Sequence, residues 1–155
     1  MKTIDYPIEP ATLADVDELM AIEQNLFNTD RCSRRSFKYL IQRTTVIVVR
    51  SDETGTIAGY AILLGRKNSR KMRIYSLGVT ASFRNKGIGL KLVAALEKAA
   101  KKADCTMLTL EVSDSNKTAI DLYNKCGFKQ HGFRFAYYED GGHAILMKKN
   151  LTGTL

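Results

Sequence analysis

The sequence is poor in the residues that interrupt or cross-link a chain. Its two prolines, Pro7 and Pro10, both precede the first predicted helix, so no internal linker is indicated. Three cysteines are an odd number and show no CxxC spacing, which favours reduced, structural thiols over a disulfide framework. No internal repeat or low-complexity segment is present, and 155 residues is a typical length for one domain. We therefore predict a single domain over residues 1–155.

Long apolar runs are also missing. No stretch approaches the ~20 apolar residues that would span a bilayer, and the first residues contain no apolar segment typical of a secretion signal. We therefore expect a soluble, cytoplasmic protein that does not attach to a membrane. The two histidines, His131 and His143, lack the spacing of metal ligands, so no metal site is predicted.

Acidic residues are fewer than basic ones. The chain has 24 Lys and Arg against 16 Asp and Glu, a formal net charge of +8, which favours an anionic partner such as a nucleic acid, a membrane surface or a polyanionic small molecule. The basic residues are not packed into one arm, since most of them are spread from Arg66 to Lys149, and the aromatic residues fall mostly at core positions. Direct nucleic-acid binding is therefore not required.

The hydrophobic periodicity predicts a chain of alternating strands and helices. The predicted elements are a strand at 2–9, helices from Thr12 to about Phe27 and from Ser33 to Arg43, strands at 45–50, 57–65 and 72–79, a helix from Gly87, a strand at 105–112, a helix at 117–125, and strands at 128–135 and 143–148. The order βααβββαβαββ is an α+β arrangement. Its central strand-helix-strand crossover should be right-handed and should join parallel strands.

The glycine-containing stretch Arg84-Asn85-Lys86-Gly87-Ile88-Gly89 ends a strand and opens a helix. The first N–H groups of a helix have no intrahelical partner and lie at the positive end of its dipole, so they form an anion site. Two glycines could equally serve only a turn. Neither GxGxxG nor GxxxxGK[ST] is present, so a cofactor phosphate here would belong to neither a dinucleotide nor a nucleoside triphosphate.

Two motifs resemble those of a known family. Residues 79–92 resemble the R/Q-x-x-G-x-G/A acetyl-CoA signature of the GNAT superfamily, and the segment from Leu110-Glu111-Val112 to Gly127-Phe128 is similar to its second motif. The likeness is greatest to RimI-type acetyltransferases, which modify the α-amino group of a ribosomal protein, and it covers nearly the whole chain. The resemblance implies a three-layer α/β fold with a mixed central sheet of about seven strands and helices on both faces.

The resemblance also implies how acetyl-CoA is bound. Backbone groups of Leu77, Gly78 and Val79 would bind the pantetheine arm, and residues 84–90 would surround the pyrophosphate. Asn116 matches a family asparagine beside the pantetheine, although it can also serve as a helix N-cap. The implied cofactor-binding residues are Leu77, Gly78, Val79, Arg84, Asn85, Lys86, Gly87, Ile88, Gly89, Leu90 and Asn116.

The same resemblance suggests two catalytic side chains. Glu111 matches the family's general base and Tyr123 matches the tyrosine that protonates the leaving thiolate of CoA. Each has a structural alternative, a solvent-facing strand glutamate and a core tyrosine. The most economical donor to the developing oxyanion is the backbone N–H of Val79. A non-catalytic acetyl-CoA-binding module would keep the glycine loop but lose this acid–base pair.

The acceptor is predicted to be a primary amine. An α-amino group titrates near ~7.7–8.0 and a lysine near ~10.4, which favours the N-terminus of a protein or peptide, a ribosomal protein among the candidates. A small-molecule amine or a lysine side chain is the alternative, but the net charge disfavours polyamines unless acidic residues line the groove. The acidic candidates for such a groove are Glu23, Asp30, Glu139 and Asp140.

By resemblance, the acceptor walls include Phe27, Asp30, Tyr137 and Tyr138. The chain departs from the RimI pattern at both walls, since it lacks the proline-tryptophan before the second helix and has Glu139 where a proline is usual. These departures bear on the acceptor more than on the reaction. We expect a monomer or a weak homodimer.

Overall fold

A mixed sheet of seven strands forms the framework of the chain in the computed structural model, which describes residues 6–27 and 32–152. The strands are β1 (Ile8–Pro10), β2 (Thr45–Arg50), β3 (Ile57–Gly65), β4 (Lys71–Val79), β5 (Met107–Ser113), β6 (Lys129–Arg134) and β7 (Ala144–Asn150). The α-helices are α1 (Val16–Leu26), α2 (Arg34–Arg43), α3 (Ile88–Lys102) and α4 (Lys117–Lys125). Short 3₁₀ turns at Leu13–Asp15 and Ala81–Phe83 precede α1 and the glycine-containing stretch.

The strand order in the sheet is β1-β2-β3-β4-β5-β7-β6. β4 and β5 are parallel, with Lys71–Ile74 opposite Met107–Leu110. The pairs β1–β2, β5–β7 and β6–β7 are antiparallel. The predicted element order and the parallel crossover through α3 are confirmed, whereas the right-handedness of that crossover stays a prediction, as does the single domain.

Several predicted boundaries move by a few residues. The predicted strand at 2–9 is a short strand at Ile8–Pro10, and its first residues lie outside the described part of the chain. The strand predicted from Cys105 begins at Met107. The amides of Thr106 and Met107 both donate to the carbonyl of Arg70, in the turn before β4, and regular pairing with β4 starts only there. By contrast, β2, β3 and α4 have the predicted bounds.

The described chain forms two compact units, each built around its own apolar cluster. The first contains the residues up to Ile62 together with Ser76–Leu92. In this unit β3 is buried at every position from Ile57 to Ile62, which is typical of a strand covered on both faces. The rings of Phe37 on α2 and Tyr60 on β3 pack edge to face, with centroids 6.5 Å apart.

The second unit contains Leu63–Tyr75 and the residues from Val93 onward. Its strand β5 alternates between buried and half-buried positions, with Leu108, Leu110 and Val112 on the buried face. Because side chains of a strand alternate between faces, Glu111 lies on the opposite face from these three residues. The alternation therefore separates the strand's charged residue from its apolar contacts.

A buried carboxylate organises the entry into α1. Asp15 accepts the backbone N–H of Thr12 at 2.9 Å, as in a capping box, and pairs with the guanidinium of Arg50 at 2.9 Å. Arg50 also bonds to Glu9, and the hydrogen bonds to Glu9 and Asp15 raise the pKa of the guanidinium. Side-chain exposure of Asp15 is only 8%, so its charge depends on these partners.

Asp15→Ala should lower the free energy of unfolding by about 1–3 kcal/mol, because it removes a helix cap and leaves the guanidinium of Arg50 without its buried partner. The matched control is Asp17→Ala, since Asp17 pairs with Arg34 on the surface and is 77% exposed. That change should cost less than about 0.5 kcal/mol. Urea denaturation of both variants measures the difference, and equal losses would contradict the role assigned to Asp15.

Candidate active site

The glycine-containing stretch adopts a backbone suited to an anion. Asn85 and Gly87 have positive φ angles of 63° and 78°, and α3 begins at Ile88. Alternating backbone conformations of this kind turn successive N–H groups toward one concavity. An ideal Cβ on Gly87 would meet nothing within 4 Å. Glycine is therefore favoured at this position by its positive φ and not by crowding. These features fit the pyrophosphate position expected for residues 84–90.

Most of this stretch is open to solvent. Arg84, Asn85, Lys86 and Gly87 are exposed, whereas Ile88 is 2% exposed and anchors the first turn of α3 in the core of the first unit. Gly89 is half-buried and Leu90 is exposed. The predicted phosphate-binding residues therefore lie on one continuous segment, with two cations beside the helix N-terminus.

The C-terminal end of β4 offers backbone groups on one edge. The amide of Thr80 donates to the carbonyl of Ala58 at 2.9 Å, on β3. Because backbone groups alternate along a strand, those of Leu77 and Val79 point away from β3, beyond the last described pair with β5. This arrangement fits Leu77 and Val79 as hydrogen-bonding partners of a pantetheine arm, and Val79 as an oxyanion donor.

Gly78 has a packing reason to lack a side chain. An ideal Cβ at this position would lie 2.7 Å from Leu26 and 3.0 Å from the ring of Tyr60. The first distance is shorter than real Cβ contacts and the second is tighter than most of them, so even alanine would push these side chains aside. Gly78 thus lets β4 pack closely against its neighbours in the first unit.

A buried glutamate of α1 contacts Ser76, the β4 residue just before this segment. Glu23 is 1% exposed, and its carboxylate accepts the hydroxyl of Tyr60 at 2.8 Å and the backbone N–H of Cys32 at 2.6 Å. The hydroxyl of Ser76 lies 2.9 Å from that of Tyr60. Burial, and then the charge of Glu23, raise the pKa of Tyr60. The expectation that Glu23 lines an acidic acceptor groove is wrong, because its carboxylate is used inside the core.

The second unit holds the predicted base in an ion pair. Arg73 on β4 donates through Nε to Glu111 Oε2 at 2.8 Å, and its Nη2 lies 3.3 Å from the hydroxyl of Tyr137. The side chains of Arg73 and Glu111 are 38% and 21% exposed. Burial lowers the pKa of Arg73, but the charge and hydrogen bond of Glu111 outweigh it, and the pKa is raised. The guanidinium therefore stays charged and joins Glu111 to the loop between β6 and β7.

Tyr123 lies on α4 and is 6% exposed, with its ring packed edge to face against Phe128 at 5.5 Å. Its hydroxyl makes no hydrogen bond within residues 6–27 and 32–152. Burial, and then Cys126 and Tyr138, raise the pKa of Tyr123 well above its ordinary value. The phenol is therefore held protonated and can donate.

The remaining predicted residues belong to the N-terminus of α4, the segment after α1 and the β6–β7 loop. Asn116 caps α4 by accepting the backbone N–H of Ala119 at 3.1 Å, and it is exposed. Phe27 ends α1 and is half-buried, whereas Asp30 lies outside the described residues. Tyr137 and Tyr138 pack edge to face at 5.0 Å in the β6–β7 loop. The backbone cap is thus confirmed for Asn116, and its cofactor contact stays a prediction.

The β6–β7 loop is held by its own hydrogen bonds. The amide of Tyr138 donates to the carbonyl of Gly142 at 3.1 Å, and the amide of Gly141 donates to the carbonyl of Tyr138 at 2.9 Å. Nδ1 of His143 accepts the amide of Ala136 at 2.9 Å. Glu139 and Asp140 are exposed on this loop, so of the acidic residues named above these two remain available to an acceptor.

Sequence patterns missed Arg73, Tyr60 and Ser76. Arg73 is a charge inside an otherwise apolar strand, as Glu111 is on the strand that the crossover predicts to be its parallel neighbour. Two opposite charges on parallel neighbours are a signal that could have indicated their pairing. Tyr60 and Ser76 carry no such signal, because a tyrosine or a serine in a strand is ordinary.

Comparisons with known proteins agree with this geometry. Residues 14–128 match the model of the acetyltransferase (GNAT) family. An N-alpha-acetyltransferase of Sulfurisphaera tokodaii is 30% identical over 154 residues, which are 92% of each chain. A putative [ribosomal protein bS18]-alanine N-acetyltransferase of Bacillus subtilis is 26% identical over 135 residues, covering 87% of this chain and 88% of the relative.

Among solved structures, the NatC complex bound to Gag peptide and CoA contains a chain with the same fold. It superimposes with a TM-score of 0.86 at 21% identity, covering 96% of this chain and 99% of that one. The chain described here belongs to the GNAT acetyltransferase family. It is an acetyl-CoA-dependent N-acetyltransferase.

Among the described residues, no helix is both long and apolar enough to cross a membrane. Within the same residues, no group of three or more His, Cys, Asp or Glu side chains could hold a metal ion.

Gly87→Ala should weaken CoA binding about 3- to 10-fold, because a Cβ at this positive φ costs about 1–2 kcal/mol and distorts the loop of N–H groups. Gly55→Ala is the control, since Gly55 has a similar φ of 71° and equally open surroundings in the β2–β3 turn. Isothermal titration of CoA into each variant checks this. A loss of affinity as large in Gly55→Ala would show that general strain, and not the phosphate loop, is responsible.

Proposed function

We propose that this enzyme transfers the acetyl group of acetyl-CoA to the N-terminal α-amino group of a protein or peptide, by direct attack of the amine. The observation that carries the proposal is the chain of contacts from Glu111 through Arg73 to Tyr137, which ties a carboxylate to the loop expected to hold the acceptor. The similarity to relatives named N-alpha-acetyltransferases supports the same acceptor class. A ribosomal protein is one candidate acceptor, and we expect the reaction in the cytoplasm.

In the proposed reaction the lone pair of the amine attacks the thioester carbonyl carbon. A carbon–nitrogen bond forms, negative charge develops on the carbonyl oxygen, and the backbone N–H of Val79 donates to that oxygen. The carbon–sulfur bond then breaks and CoA leaves as a thiolate. The proton lost by the amine passes to Glu111, directly or through a water molecule, and the thiolate receives one proton in return.

Tyr123 is proposed to stabilise the departing thiolate. Its raised pKa keeps the hydroxyl protonated, so the phenol stabilises the departing thiolate by donating a hydrogen bond to it. A role in core packing alone would leave a buried phenol without a partner, which costs free energy.

Tyr123→Phe should lower turnover about 10²-fold, because the thiolate loses its donor, while the affinity for acetyl-CoA stays nearly unchanged. Tyr39→Phe is a matched control, since Tyr39 is 58% exposed on α2. Steady-state rates and CoA titrations of both variants separate the two effects. An unaltered turnover in Tyr123→Phe would remove Tyr123 from the reaction.

The acceptor class is tested by following release of the CoA thiol with a panel of amines. A short peptide with a free N-terminus should release thiol, whereas the same peptide with a blocked N-terminus and an internal lysine, a polyamine and an aminoglycoside should not. Release with the lysine peptide or a small amine would instead support the alternative acceptors. No release with any amine, despite binding of CoA, would support a non-catalytic acetyl-CoA-binding module.

A further inference from the structure

We propose that Arg73 is a specificity-determining residue: by neutralising Glu111, it restricts the acceptor to amines that are already uncharged near neutral pH, and so excludes lysine side chains. The inference rests on the proposed function and deepens it, because it gives a physical reason for the choice between α-amino groups and lysines. It concerns only residues of the second unit.

The geometry places the two charges together on one face of the sheet. Arg73 pairs with Thr109 in the β4–β5 ladder, and Thr109 and Glu111 are two residues apart on β5. Side chains at this spacing point to the same face, so Arg73 and Glu111 are diagonal neighbours on it. The 2.8 Å contact from Nε to Oε2 is a charge-assisted hydrogen bond between half-buried groups.

The nearby charge on this face is positive, because Lys148 of β7 lies opposite Thr109 and its exposed side chain is on the same face as Glu111. Arg73 also contacts the phenol of Tyr137, at 3.3 Å from Nη2, and the ring of Tyr75, at 5.5 Å from the guanidinium carbon. On the other side of β5, Glu111 pairs with Leu146 of β7, which does not titrate. An incoming amine therefore meets a carboxylate and a guanidinium whose charges cancel.

This cancellation matters because the attacking amine must be neutral. A carboxylate alone would attract an ammonium ion and bring it to the site together with its proton. A neutral pair has no such attraction, so the acceptor has to arrive with its lone pair free. Near neutral pH an α-amino group, with its ordinary pKa of ~7.7–8.0, has about 300-fold more of its neutral form than a lysine, with ~10.4.

The test compares two peptides of one sequence, one with a free N-terminus and its lysine blocked, the other with a blocked N-terminus and a free lysine. For the wild-type enzyme, kcat/KM should favour the α-amine by at least about 10²-fold at neutral pH. The kcat/KM for the α-amine peptide should also rise with pH and level off above the pKa of the α-amine. In Arg73→Gln the uncovered carboxylate should attract ammonium ions, and the preference should fall at least about tenfold.

Two variants serve as controls. Arg73→Lys keeps the positive charge and should keep the preference. Arg70→Gln removes an exposed cation from the turn before β4 and should also leave the preference unchanged. Arg73 is itself 38% exposed, and circular dichroism melting checks that Arg73→Gln remains folded.

The outcomes are distinguishable. An active wild-type enzyme whose preference is the same in Arg73→Gln would overturn the inference while leaving the proposed function intact. Equal weakening of both peptides in Arg73→Gln would also overturn it, because a purely structural role for Arg73 acts on both acceptors alike. If the wild-type enzyme acetylates the lysine peptide with the same kcat/KM as the α-amine peptide, both the inference and the proposed acceptor class are refuted.

Discussion

The ladder between β4 and β5 is the constraint on which the chemistry depends. It is described over four residue pairs, from Lys71 opposite Met107 to Ile74 opposite Leu110. Within this paired segment the register sets Arg73 diagonally beside Glu111, so the ion pair follows from the parallel pairing. Beyond it, β4 continues to Val79 with backbone groups that point away from β3. One strand thus supplies both a charged side chain and a row of backbone donors and acceptors.

The charges that matter to the reaction are few, although the chain has a net charge of +8. Glu111 is neutralised by Arg73, and Glu23 is buried with Tyr60 and the amide of Cys32. The charge of Glu111 is therefore compensated, and the carboxylate of Glu23 is buried away from an acceptor. A polycation gains little from such a surface, which agrees with the proposed choice of an amine that arrives neutral. The exposed Glu139 and Asp140 can influence the approach of an acceptor, but only from the surface of a loop.

Burial has opposite uses at two tyrosines. Tyr60 is fully buried, and its hydroxyl is used by Glu23 and Ser76 to hold β3 and β4 to the end of α1. Tyr123 is buried as well, and the loss of solvent around the phenolate raises its pKa. The same physical effect therefore makes one tyrosine a structural hydrogen-bond donor and keeps the other protonated, as its proposed role as a donor to the leaving group requires.

Sequence patterns alone predicted the order of the elements, the capping residue Asn116 and the glycine-containing turn into α3. These features depend on periodicity and on contacts between residues a few positions apart, which a sequence displays directly. The long-range pairs of polar side chains, by contrast, can be seen only in the tertiary structure. Glu23 and Tyr60 are 37 residues apart, and Arg73 and Glu111 are 38 apart. Whether such residues pair depends on the strand register and on the burial of each face of the sheet. The local sequence pattern predicts neither of these.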